Sequence, residues 1–123
     1  MPGLPTGSSH IGGYKELIRM DKAGDVSFGN VVTFNMDEHV GLSYENNQSY
    51  WYFMHDNFFN HLVDMKTENI NILNGMVEDT EAECERYEKR IASYDGIDLF
   101  MGGIGVDVHL AFNGPVTPLN SLT

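Results

Sequence analysis

Two Asp-x-His triplets, Asp37-Glu38-His39 and Asp107-Val108-His109, bring together the side chains of this sequence best suited to moving protons. A carboxylate beside an acidic carbon can take its proton, and an imidazole can give or accept one near neutrality. The same four groups form an acceptable ligand set for a divalent metal. A third stretch, Gly3-Leu4-Pro5-Thr6-Gly7-Ser8-Ser9, is rich in glycine and hydroxyls. Backbone N–H groups in such a loop can hold a phosphate without any basic residue. From residue type alone, Asp37 reads first as a loop carboxylate capping a turn, and His109 as a half-buried histidine with a satisfied hydrogen bond. The elements that carry them have to decide.

Those elements follow from spacing. After the Gly-rich stretch, Tyr14, Leu17, Ile18 and Asp21 recur at helical intervals, and Gly24 is placed to close a helix over residues 10–23. Val31 to Phe34 is β-branched and aromatic, which predicts a strand near 31–35 that runs directly into Asp37. Tyr50, Phe53, Met54, Phe58, Phe59 and Leu62 predict a buried helix over 49–62, its aromatics forming core. Ile70 to Leu73 predicts a strand, and residues 78–94 a helix with acidic residues first, basic residues last and a solvated acidic face. Ile97 to Met101 predicts a third strand that ends in Gly102-Gly103-Ile104-Gly105. Strands alternating with helices define an α/β chain with a parallel sheet, in which ligands bind beyond the carboxyl ends of the strands. Both triplets fall on that edge. The Gly-rich loop would join them if a strand fed it, but only Met1 and Pro2 precede Gly3, so a loop with few restraints is expected.

A chain of 123 residues is one domain at most. Its hydrophobic share of 41% and charged share of 20% suit a core-forming chain rather than a disordered one. The net charge of −11 argues against nucleic acid and anionic membrane surfaces as partners. One cysteine, Cys84, forms no internal disulfide and sits among acidic residues that disfavour its thiolate. The N-terminus has no charged region followed by an apolar run, and no apolar stretch reaches about 20 residues, so a cytoplasmic location is expected.

In order, Gly3 to Ser9, Thr33-Phe34-Asn35-Met36-Asp37-Glu38, Ser49-Tyr50, Phe100 to Gly105, and Asp107, His109 and Ala111-Phe112-Asn113 resemble the glucosamine-6-phosphate deaminase (isomerase) family over nearly the whole chain. The resemblance implies a partial Rossmann-like parallel sheet flanked by helices, a single incomplete domain over 1–123. It also implies isomerisation and deamination of glucosamine 6-phosphate to fructose 6-phosphate and ammonia, with no cofactor and no metal. Asp37 then matches the carboxylate that moves the proton between C1 and C2, and His109 the imidazole that opens the sugar ring. Asp107 matches a carboxylate grouped with that imidazole. Thr6, Gly7, Ser8 and Ser9 match the phosphate loop, and Tyr50 an aromatic beside the site.

The departures carry expectations too. Where the resemblance implies a Glu after Ala-Phe-Asn, this chain has Gly114; where it implies Gly between Asp and His, it has Val108. Glycine at such a place commonly allows a backbone angle closed to β-branched residues. His39 stands for Tyr and Leu122 for Arg. The resemblance thus implies a chain truncated at both ends, without the downstream basic residues that hold phosphate. Impaired turnover is expected, as is an exposed apolar sheet edge that favours self-association or pairing with a full-length relative. A non-catalytic remnant that binds sugar phosphate, and a divalent-metal protein, are the other two readings.

Overall fold

The computed structural model describes residues 1–106, 108 and 111–118. Four short strands form one parallel sheet: β1 (Pro2–Leu4), β2 (Thr33–Asn35), β3 (Ile70–Asn71) and β4 (Leu99–Phe100), in the order β3-β2-β1-β4. Helices α1 (Ile11–Lys22), α2 (Tyr50–Asn57) and α3 (Thr80–Ala92) connect and cover them. The α/β reading and its strands therefore hold, with each strand shorter than its apolar run.

The strand expected to be missing is present, and it is central. Gly3 pairs with Phe34 on one side and Phe100 on the other. Three residues suffice because both ladders are satisfied by neighbouring strands, and Pro2 occupies the first position, where a missing N–H is tolerated. The N-terminal ammonium pairs with the Asp98 carboxylate, fixing β1 against the start of β4. A Cβ on residue 3 would sit 2.4 Å from the Phe100 ring, so glycine lets that ring lie across the strand.

Alternating side chains of the strands feed opposite faces of the sheet. Leu4 packs with Tyr14 of α1 and Met54 of α2, together with Phe28, Phe58 and Phe59. Phe34 packs on the other face with Leu73 and Tyr87 of α3. Gly24, at φ +78, follows the last turn of α1, and the amide of Asp25 bonds the Met20 carbonyl, as a glycine-terminated helix requires.

Two expectations are corrected. The helix foreseen over 49–62 stops at Asn57, whose side chain bonds the Phe53 carbonyl at 2.8 Å. Phe58 then leaves helical geometry, at φ −139 and ψ −70, before a 3₁₀ turn over Phe59–His61. The bend buries Phe58 against Tyr14, ring centroids 4.7 Å apart, and edge-on to Phe28. The acidic face of α3 is not wholly solvated either. Glu83 is buried because it accepts the Asn74 amide at 3.0 Å and pairs with Arg86, tying the chain after β3 to the helix. Asp79 caps α3 by accepting from Ala82, and Cys84 has its thiol pushed up by burial and by Glu83, Glu88 and Glu81.

Candidate active site

Strand order dictates where a ligand can sit. The chain steps from β1 outward to β2 and β3, then returns to place β4 on the other side of β1. Loops leaving β1 and β4 therefore diverge, and a crevice opens at the carboxyl edge between them. The ends of the strands are tied across that edge. Asn35 Nδ2 donates to the Leu4 carbonyl at 3.1 Å, and Tyr87 Oη reaches the carbonyls of Asn35 and Asn71 at 2.6 and 2.8 Å. Tyr14 Oη donates to the Pro5 carbonyl, which anchors the start of the Gly-rich loop to α1. Gly7, at φ +107 and ψ 153, takes a conformation that side chains rarely adopt.

A cleft of about 380 Å³ lies over this edge. Thr6 and Gly7 from the β1 loop, Asp37 from the β2 loop, Tyr50 from α2 and Gly103 to Gly105 from the β4 loop all line it. Four of the residues singled out in the sequence, Thr6, Gly7, Asp37 and Tyr50, thus share one cleft. Ser8 and Ser9 are exposed in the 3₁₀ turn that follows Gly7 and do not line it. Asp107 and His109 lie outside the described residues.

Burial pushes the Asp37 carboxyl up to about 6; Glu38 adds to the rise, and His39 opposes it. A carboxylate so placed is a better proton acceptor than one in water, yet still ionised near neutrality. The Tyr50 phenol is raised by burial first and by Asp37 second, with a hydrogen bond to Thr6 opposing the shift. That bond links the β1 loop to α2. His39 packs against Tyr50 at 4.5 Å and Phe112 at 5.2 Å between ring centroids, closing the aromatic side of the cleft.

Sequence reasoning missed two residues here. Glu38 accepts the amides of Tyr50 and Trp51, at 2.8 and 2.9 Å, along with its neighbour His39. It is the N-terminal anchor of α2, twelve residues away in sequence, and no local pattern signals it. His10, which belongs to no motif of the sequence, also lines the cleft. Its place directly after Gly7-Ser8-Ser9 was the available signal.

Val108 has φ +66, the left-handed region expected from the glycine that the resemblance implies there. A β-branched residue at that angle is strained. Gly114 presents no carboxylate, and a Cβ built on it meets open space. Among the described residues no group of three or more His, Cys, Asp or Glu side chains is arranged to hold a metal.

The fold and the cleft together define a parallel α/β protein with a half-buried carboxylate at the carboxyl edge of its sheet. No protein-family model matches the chain. It is similar to glucosamine-6-phosphate deaminase of Glaesserella parasuis serovar 5, at 62% identity over 121 residues, 98% of this chain and 46% of that protein. Among solved structures it resembles a monomeric glucosamine-6-phosphate deaminase with a TM-score of 0.93 and 42% identity, covering 98% of this chain and 49% of the other. A 6-phosphogluconolactonase from Thermotoga maritima shares the fold at a TM-score of 0.76 and 21% identity, over 90% of this chain and 48% of its own. The chain spans about half the length of the curated relatives it matches.

Proposed function

We propose that this chain carries the proton-transfer half of a glucosamine 6-phosphate deaminating site. The observation that supports it best is the half-buried Asp37 carboxyl facing a cleft shared with Thr6, Gly7 and Tyr50, in a chain about 60% identical to glucosamine-6-phosphate deaminases. The substrate is a small phosphorylated amino sugar whose phosphate lies toward Thr6, Gly7, Ser8 and Ser9. Asp37, ionised, takes the proton from C2 of the opened sugar and returns it to C1, and the amine leaves by hydrolysis as ammonia. His109, oriented by Asp107, opens the ring. The chemistry belongs to amino sugar breakdown, including that of N-acetylglucosamine, in the cytoplasm.

Turnover by this chain is slow. A strained Val108 beside His109 and the absence of a carboxylate at Gly114 both weaken the imidazole step. These two observations favour a second reading, in which the chain binds sugar phosphate without turning it over. Leu99, Phe100 and Met101 are exposed along the β4 edge, which supports self-association or pairing with a full-length relative. A coupled assay for fructose 6-phosphate and ammonia, with Asp37→Asn as control, separates the readings: slow turnover abolished in the variant supports the first, and binding without any turnover supports the second.

A further inference from the structure

From the reading of this cleft as a sugar-phosphate site, we infer that His10 is the cationic contact for the phosphate, a positioning residue for the reaction. An anionic ligand in a chain of net charge −11 needs a local positive group or converging N–H donors. The described lining of the cleft contains no Lys or Arg; His10 is the one side chain in it that can carry a positive charge. Its position suits that task on two counts.

His10 follows Gly7-Ser8-Ser9, precedes the first turn of α1 and lines the same cleft as Thr6 and Gly7 of the loop whose N–H groups suit a phosphate. The ring also reaches across the crevice: a Cβ built on Gly103 would lie 3.4 Å from its Nε2. His10 therefore spans the β1 and β4 loops where they diverge. Nothing described competes for the imidazole. It makes no capping bond to the helix, and neither ring nitrogen bonds a described residue. A half-buried imidazole at a cleft wall, with nitrogens that bond no described residue, can meet a ligand oxygen in a way that a satisfied core histidine cannot.

The test is a titration of the full 123-residue chain with inorganic phosphate and with glucosamine 6-phosphate, followed by amide chemical shifts at a fixed pH of about 6. His10→Gln keeps size and hydrogen bonding but removes the charge; His10→Lys keeps a charge. Loss of one charge-assisted bond weakens both ligands by about tenfold in His10→Gln, and His10→Lys recovers most of that. Unchanged affinity in His10→Gln, with its spectrum as dispersed as that of the parent chain, overturns the assignment and leaves the deaminase reading standing. Equal weakening in His10→Gln and His10→Lys overturns it also, since packing and not charge then matters. Failure of the parent chain to bind either ligand overturns both.

Discussion

The Glu38 carboxylate bonds the Tyr50 and Trp51 amides, so the residue next to the candidate base fixes the helix that carries the candidate aromatic. Asp37 and Tyr50 come from separate elements, and this bond sets one against the other. Glu38→Ala should cost about 1–2 kcal/mol in urea unfolding, the range for a lost helix cap. Glu38→Gln keeps one acceptor and should cost less. A loss of turnover greater in Glu38→Ala than in Glu38→Gln, at temperatures where both are folded, would show that the link positions the site.

Val108 holds a left-handed angle at φ +66. Val108→Gly removes strain worth about 1–2 kcal/mol and gives back part of it as unfolded-chain entropy, so a net gain of about 1 kcal/mol is expected. Denaturant midpoints check it, with Val108→Ile as the variant that should gain nothing. A less stable Val108→Gly chain would show that the angle is not costly here.

Burial of Asp37 ties stability to pH. Its carboxyl rises from 3.8 to about 6, so the folded chain holds this proton more tightly than the unfolded chain does. Its contribution is full below about 4 and is lost as pH rises toward 6. Asp37→Asn cannot ionise, so above pH 6 it should melt a few degrees higher than the parent chain, with the gap closing below about 4. Activity at neutral pH should move the other way, falling by roughly 10²–10⁴ in the variant, with the difference shrinking as the parent chain loses its ionised carboxylate below about 6. A variant less stable at neutral pH would contradict the burial cost.

Tyr87 joins the ends of β2 and β3 through one hydroxyl. Tyr87→Phe keeps the ring against Phe34 but removes the single hydroxyl proton that the Asn35 and Asn71 carbonyls share. A loss of about 1–3 kcal/mol is expected in thermal unfolding. Unchanged stability would mean that water reaches those carbonyls.

What the sequence made legible was local. Tyr14, Leu17 and Ile18 marked α1, Gly24 its end, and the run from Val31 to Phe34 led to Asp37. What it hid depends on residues far apart. β1 exists because Phe34 and Phe100 satisfy it from both sides. α2 is cut short because Phe58 gains more by stacking on Tyr14 than by continuing a helix. Glu38 looked like part of a proton-moving triplet and proved to be an anchor for α2. The Val108 angle could be anticipated only through the resemblance, which implies glycine there, because a β-branched residue by itself argues against a positive φ.

The central claim is that Asp37 moves the proton at C2 of glucosamine 6-phosphate. The most direct measurement is exchange of that proton with solvent deuterium, followed by NMR of the sugar with the purified chain. Exchange above the enzyme-free rate, lost in Asp37→Asn and falling as pH drops below about 6, is the expected result. Exchange equal in Asp37→Asn and the parent chain, or none in either while the sugar binds, would contradict it.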